Sequence, residues 1–175
     1  QFSATQLKGA GFSTTELKEA QFTLPEFKAA QFSAAQLREA RFSLEELRDA
    51  HFTATQLKDA LFIATDLKEA GFSLQKLKDA PFTATELREA QFTLKELETA
   101  RFSATELKEA KYDAGDLKGV GFRATELKEA QFTLLELKAV RFLATQLKMA
   151  LFTATELREA QFTLKELETA RFSAT

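Results

Sequence analysis

The chain has 175 residues, a formal net charge of −2, 18 phenylalanines and no cysteine. Disulfides and thiolate metal sites are therefore excluded, and the balanced charge differs from the basic surface typical of nucleic-acid or anionic-membrane binders. No apolar run approaches the ~20 residues of a membrane span. We expect neither nucleic acid nor membrane insertion among its interactions, and the sequence leaves the cellular compartment open.

A ten-residue motif recurs in register along the whole chain. Its places hold a variable residue, Phe, Ser or Thr, two small or apolar residues, an acid or amide, Leu, a base, a variable residue and Ala, as in 11–20 (GFSTTELKEA) and 101–110 (RFSATELKEA). An unbroken short period predicts a repeat architecture in which each unit buries its apolar face against its neighbours. We interpret 1–175 as one continuous array of about 17.5 tandem decapeptides, and as a window on a longer array.

Two signals in each decamer predict the start of a helix. Ser13 and Glu16 have the S/T-x-x-E spacing of a capping box, and Phe12 and Leu17 then occupy the two positions of a hydrophobic staple. The same capping pattern recurs at Thr23–Glu26, Ser43–Glu46, Thr83–Glu86, Ser103–Glu106 and Thr153–Glu156. We therefore expect one short helix per decamer, from the fourth to the ninth or tenth place.

The first place of each decamer is expected to lie in a turn. Gly11, Gly71 and Gly121 occupy it, where a left-handed residue after a helix costs glycine least. Pro81 also stands there, and proline suits a turn better than a continuing helix. Pro25 falls in the first helical turn, where its missing amide donor is tolerated.

These signals predict an all-α solenoid, a superhelix of capped ten-residue repeats. Leucine replaces alanine at some fourth places, and its recurrence every two to four decamers predicts about three decamers per superhelical turn. The fourth-place leucines used here are Leu44, Leu74, Leu94 and Leu164. The segment 82–105 recurs identically as 152–175, which we interpret as a recent duplication.

A second fold remains as an alternative. Residues 20–24 (AQFTL) match an A-x-[LF]-x-x unit, and Phe and Leu alternate every five residues, so the chain superficially resembles pentapeptide-repeat proteins. That resemblance implies a right-handed β-helix and, as a function, a DNA-mimicking inhibitor. Against it, the places two before leucine, which would point into a narrow core, include charged or bulky residues, and burying unpaired charge is costly. They are Pro25, Glu45, Gln75, Lys95 and Lys165.

Few residues suggest chemistry. His51 is the only histidine and stands at a turn place, so we expect an exposed turn residue rather than a metal ligand. Ile63, Arg123 and Leu143 lack the capping hydroxyl, and 111–120 (KYDAGDLKGV) deviates enough to be a joint, a contact site or drift. The alternating acids and bases predict a solvated face with weak ion pairs between repeats. We predict no enzyme activity and no catalytic, cofactor-binding or metal site.

The predicted function is structural. We expect an elongated rod or filament formed by continued stacking of repeats, with end-to-end self-association as the main interaction. A non-catalytic solenoid scaffold that binds another protein on a lateral face is the alternative. The DNA mimic implied by the pentapeptide resemblance is a third hypothesis.

Overall fold

The computed structural model describes residues 2–172, and in this range it contains seventeen six-residue α-helices and no β-strand. The helices are α1 (Ala4–Gly9), α2 (Thr14–Glu19), α3 (Leu24–Ala29), α4 (Ala34–Glu39), α5 (Leu44–Asp49), α6 (Ala54–Asp59), α7 (Ala64–Glu69), α8 (Leu74–Asp79), α9 (Ala84–Glu89), α10 (Leu94–Thr99), α11 (Ala104–Glu109), α12 (Ala114–Gly119), α13 (Ala124–Glu129), α14 (Leu134–Ala139), α15 (Ala144–Met149), α16 (Ala154–Glu159) and α17 (Leu164–Thr169). The chain is an all-α solenoid, as predicted, and the β-helix alternative is wrong.

Most helices begin with a pair of hydrogen bonds between the third and sixth places. In α11 the Ser103 Oγ accepts from the Glu106 amide at 3.3 Å, and Glu106 Oε2 accepts from the Ser103 amide at 2.7 Å. Ser103 itself is extended, with φ −72° and ψ 159°. The same reciprocal bonds form at Ser3–Gln6, Ser13–Glu16, Ser33–Gln36, Ser43–Glu46, Thr53–Gln56, Thr83–Glu86, Thr93–Glu96, Thr133–Glu136, Thr153–Glu156 and Thr163–Glu166. They satisfy amides that a short helix otherwise leaves without partners.

Each helix ends in a left-handed turn at the first place of the next decamer. After α11, the Tyr112 amide donates to the Leu107 carbonyl at 3.1 Å and the Lys111 amide donates to the Lys108 carbonyl at 2.9 Å. With Lys111 at φ 66°, this is a Schellman motif. The predicted glycines adopt the same region, and so do non-glycine residues at thirteen other first places, with φ between 55° and 66°.

The two caps share one residue, and this explains the ten-residue period. Tyr112 closes the Schellman motif after α11 and also directly precedes Asp113, the N-cap of α12. An N-cap, six helical residues, a C-cap, the left-handed residue and the shared aromatic add up to one decamer. The period therefore follows from fusing one helix end to the next helix start with no linker between them.

Pro81 changes this turn. Proline has no amide hydrogen and cannot adopt positive φ, so only the bond from the Phe82 amide to the Leu77 carbonyl, at 3.1 Å, is kept. Ala80 before it has ψ 33°, whereas the C-caps of α1–α7 and α10–α17 have ψ between 0° and 14°. Among the described residues, two compact units are distinguished, one of residues 2–82 with 89–91 and one of residues 83–88 with 92–172.

Within each unit the most extensive helix contacts join helices that lie two decamers apart, although α7 with α8, α13 with α14 and α16 with α17 are also in contact. The pairs two decamers apart are α1 with α3, α4 with α6 and α6 with α8 in the first unit, and α11 with α13, α13 with α15 and α15 with α17 in the second. The predicted three decamers per turn is therefore wrong. Fourth-place leucines do not mark a turn, since their exposure ranges from 9 % in Leu44 to 72 % in Leu164. The core consists of the seventh-place leucines with second-place aromatics and the alanines of the fourth and tenth places.

Candidate functional site

The most regular chemical feature is the base at the eighth place. Lys108 Nζ lies 3.1 Å from the carbonyl oxygen of Ala130 and 2.6 Å from that of Gln131, at the end of the helix two decamers further on. The same ammonium lies 4.4 Å from the centroid of the Phe132 ring. Carbonyls at a helix end lack partners within the helix and carry partial negative charge, so a cation stabilises them.

This contact recurs in both units, and we call the set the basic ladder. Each member donates to a backbone carbonyl 22 or 23 residues later in the chain. The members are Lys8, Lys18, Lys28, Arg38, Arg48, Lys58 and Lys68 in the first unit, and Arg88, Lys108, Lys118, Lys128, Lys138 and Lys148 in the second. The basic ladder therefore connects the helix of each member with the helix two decamers further on.

The basic ladder adds backbone partners to the predicted solvated face with weak ion pairs between repeats, and those ion pairs stay a prediction. The eighth-place bases bind backbone carbonyls, and sixth-place acids bind N-cap amides. Two ion pairs seen in the structure join residues of a single decamer, Arg48 with Asp49 at 2.8 Å and Lys95 with Glu98 at 2.7 Å. The constant base at the eighth place was visible in the sequence, but its partner was not, because the partner is a backbone atom two repeats away.

A groove recurs at equivalent places in the two units. The first, the charged groove, is lined by Arg48, His51, Phe52, Thr53, Phe72, Lys76 and Asp79. The second, the Met149 groove, is lined by Lys118, Gly121, Phe122, Arg123, Phe142, Gln146 and Met149, each 70 residues later than its counterpart. Met149 in place of Asp79 and Gln146 in place of Lys76 make the second groove less charged, although both have two aromatic rings.

His51 lies in an exposed turn, as predicted, with φ 60°. Its carbonyl accepts from Lys28 Nζ at 2.8 Å, and its side chain borders the charged groove. In residues 2–172, no three His, Asp or Glu side chains gather where they could hold a metal ion. The absence of a catalytic or cofactor site stays a prediction.

The deviant decamer 111–120 has a packing explanation. A Cβ added at Gly115 would lie 3.1 Å from Asp113 Oδ1 and 3.4 Å from Val140 Cγ1. Glycine therefore leaves room for Val140, which stands where most decamers have alanine. Tyr112 takes the place of Phe under the Arg88 guanidinium, 4.8 Å from its ring centroid, and burial raises the pKa of the phenol more than Arg88 lowers it.

Where the capping hydroxyl is missing, the cap is reduced. Ile63, Arg123 and Leu143 make no side-chain cap hydrogen bond, although the Leu143 amide still donates to Gln146 Oε1 at 2.9 Å. Ile63 and Leu143 are 59 % and 64 % exposed. Other exposed apolar side chains in the second unit are Leu135, Met149, Leu151 and Leu164.

The caps also perturb the acidic side chains. Hydrogen bonds from the Thr133 hydroxyl and amide hold the pKa of Glu136 below its ordinary value of 4.5. The pKa values of Glu156 and Glu166 are lowered in the same way, mainly by the amides of the threonines at their N-caps. Each carboxylate is thus favoured in its charged form at the start of a helix.

Comparison with known proteins identifies the repeat. A family model described as a decapeptide repeat region matches residues 1–74, 61–134 and 101–174. No curated protein and no solved structure matches the chain. Across residues 2–172, none of the helices has the length and hydropathy needed to cross a bilayer.

Proposed function

The chain belongs to the decapeptide repeat region family, and we propose that it is a non-catalytic structural array that forms an elongated rod or filament by continued stacking of decamers. The basic ladder is the observation that carries this proposal. Each member of the basic ladder donates to a carbonyl at the end of the helix two decamers further on, so the same contact can be repeated whenever a further decamer is added. Arrays in which each repeat contacts only nearby repeats have no length fixed by their geometry.

Some side chains of the kind that stacked repeats cover are exposed. The Phe2 and Phe12 rings are 70 % and 45 % exposed, whereas Phe32, which lies under Lys8, is 4 % exposed. At the other end, the side chain of Arg158, an eighth-place base, is exposed. In a filament, stacking of another array would bring such a base to carbonyls and an aromatic ring, as the basic ladder does within each unit.

Electron microscopy of the purified protein across a concentration series tests this proposal. We expect particles of uniform width whose length increases with concentration. Arg158→Glu should shorten them, because it reverses the charge of a base needed for stacking. Lys111→Glu, the same change at an exposed first place, should leave the length unaltered. Particles of one length at all concentrations would contradict the proposal.

A protein-binding scaffold is a second candidate, favoured by the exposed apolar side chains between Leu135 and Leu164 and by the Met149 groove. An exposed apolar surface of this kind is typical of an interaction site. This function predicts particles of constant length, insensitive to Arg158→Glu. The DNA-mimic hypothesis depended on a β-helix and is not carried further.

A further inference from the structure

We propose that the backbone at Val120 and Gly121, together with Glu98 and the Phe122 ring, binds an ammonium group presented as a lysine side chain by a partner protein. This ammonium site is independent of whether the array forms filaments.

The site lies where the basic ladder is interrupted. The eighth place of the tenth decamer is Glu98, and the carbonyls 22 and 23 residues later belong to Val120 and Gly121. Among the described residues, no basic side chain donates to either carbonyl, whereas the steps before and after are made by Arg88 to Ala110 and by Lys108 to Ala130. The acceptors are therefore the same as elsewhere, and the donor is absent from the chain itself.

The acceptors are held in the geometry that binds lysine at other steps. After α12, the Phe122 amide donates to the Leu117 carbonyl and the Gly121 amide donates to the Lys118 carbonyl, both at 3.0 Å, and Gly121 has φ 107°. This is the Schellman turn found after α11 and α13. The binding groups need no rearrangement to accept an ammonium, which lowers the cost of binding.

The site is accessible. No side chain of the described residues donates to the Val120 or Gly121 carbonyl. The ring of Phe122 is half-buried, while rings covered by a ladder lysine, such as Phe132 and Phe142, are 5 % and 4 % exposed. A ligand can therefore approach the carbonyls and the ring face from solvent.

Glu98 favours a cation here, although Lys118 and Arg123 line the same groove as Gly121 and Phe122, with Lys118 Nζ bound to the Val140 and Arg141 carbonyls. Glu98 places a carboxylate where other decamers place a base, and two carbonyls and an aromatic face add further attraction for an ammonium. Glu98 pairs with Lys95 on its own helix at 2.7 Å, but the Lys95 side chain is 68 % exposed. Such an exposed pair is weak and can exchange for an incoming lysine that also binds the carbonyls.

Nuclear magnetic resonance of the full chain tests the site with n-butylammonium, which has the end group of a lysine side chain. The chain has six glycines, so the Gly121 amide can be followed individually. Gly71 is the internal control, because the preceding carbonyl, of Ala70, already accepts from Arg48 at 2.9 Å. We expect a saturable shift at Gly121 and none at Gly71, relative to sodium chloride at equal ionic strength. The neutral analogue n-butanol should produce no such shift.

Two variants sharpen the test. Glu98→Lys should complete the ladder, abolish the Gly121 response and raise the melting temperature. Glu98→Gln keeps the carbonyls but removes the charge, and should weaken binding roughly fivefold. Equal shifts at Gly71 and Gly121, a response that does not saturate, or a Gly121 response unchanged by Glu98→Lys would each overturn the proposal. Particle length in microscopy is unaffected by these outcomes, so failure here is distinct from failure of the filament function.

Discussion

Lys108 Nζ lies 2.6 Å from the carbonyl oxygen of Gln131, which ends a helix two decamers further along the chain. A helix of six residues is far shorter than the ~12 residues at which isolated helices become marginally stable in water. Its stability must therefore come from its caps and from its neighbours. The Lys108 contact provides capping and packing together, since the Lys108 side chain caps the end of the helix that packs against α11.

Replacing Lys108 by methionine should lower stability, because the Ala130 and Gln131 carbonyls would lose a charged donor. We expect a loss of about 1–2 kcal/mol, measured by urea unfolding. Lys165→Met is the matched control at an exposed place outside the basic ladder, and it should change stability by less than about 0.5 kcal/mol. Equal losses in the two variants would show that the ladder contributes no stability.

Replacing Leu151 by glycine should raise stability. Leu151 has φ 59° and is 82 % exposed, so it bears the cost of a left-handed conformation without burying its side chain. We expect a gain of about 0.5–1 kcal/mol after allowing for the greater freedom of glycine in the unfolded chain. Leu135→Gly, the same change inside α14, should lower stability by about 1 kcal/mol. Thermal unfolding of the two variants should shift in opposite directions.

Alanine should be tolerated differently at the two glycines of α12. A Cβ at Gly119 meets nothing within 4 Å, so Gly119→Ala should stabilise the helix by roughly 0.5–1 kcal/mol. A Cβ at Gly115 would crowd Asp113 and Val140, so Gly115→Ala should give no gain. The double variant with Gly115→Ala and Val140→Ala should recover part of the stability gain that alanine normally gives in a helix. A full gain from Gly115→Ala alone would contradict the size match with Val140.

Acid should destabilise the array through its caps. Because hydrogen bonds lower the pKa values of Glu136, Glu156 and Glu166 in the folded state, their stabilising effect is present above the ordinary value of 4.5. It is lost as the pH falls through the lowered folded-state values. Glutamine keeps the acceptor, as Gln36 does for the Ser33 amide at 3.0 Å. The triple Glu→Gln variant should therefore show a smaller drop in urea midpoint between pH 7 and pH 3.

A matched variant with Glu109, Glu129 and Glu159 changed to Gln serves as the control for this prediction. These residues stand at exposed ninth places, outside the caps. It should keep the pH dependence of the parent protein. An equal flattening in both triple variants would mean that net charge, rather than the capping hydrogen bonds, governs the response to acid.

The local structure could be predicted because its determinants lie within one decamer. The Ser103 and Glu106 spacing identified a helix start, and Gly11, Gly71 and Gly121 identified the left-handed turn. The glycines alone predicted this turn at too few places, since non-glycine residues such as Leu61 and Leu151 adopt it as well. There, the Schellman hydrogen bonds and burial of the next aromatic outweigh the backbone cost.

The stacking could not be predicted, because it depends on distances between decamers. Lys108 has a partner 22 and 23 residues away, and no pattern within a decamer encodes that separation. Side-chain size at the fourth place did not indicate the turn size, since the fourth-place leucines range from buried to exposed. Likewise, the sequence shows an acid in place of a base at Glu98, but only the structure identifies the Val120 and Gly121 carbonyls as the acceptors that a base there would bind.

Cysteine cross-linking tests most directly whether decamers stack two apart through the basic ladder. The chain has no cysteine, so paired substitutions introduce the only thiols. Lys108→Cys with Gln131→Cys, treated with a short bismaleimide, should cross-link rapidly within one chain. Lys108→Cys with Arg141→Cys, one decamer further, should cross-link much more slowly. Faster linkage of the second pair would place three decamers in each turn and contradict the ladder on which this account rests.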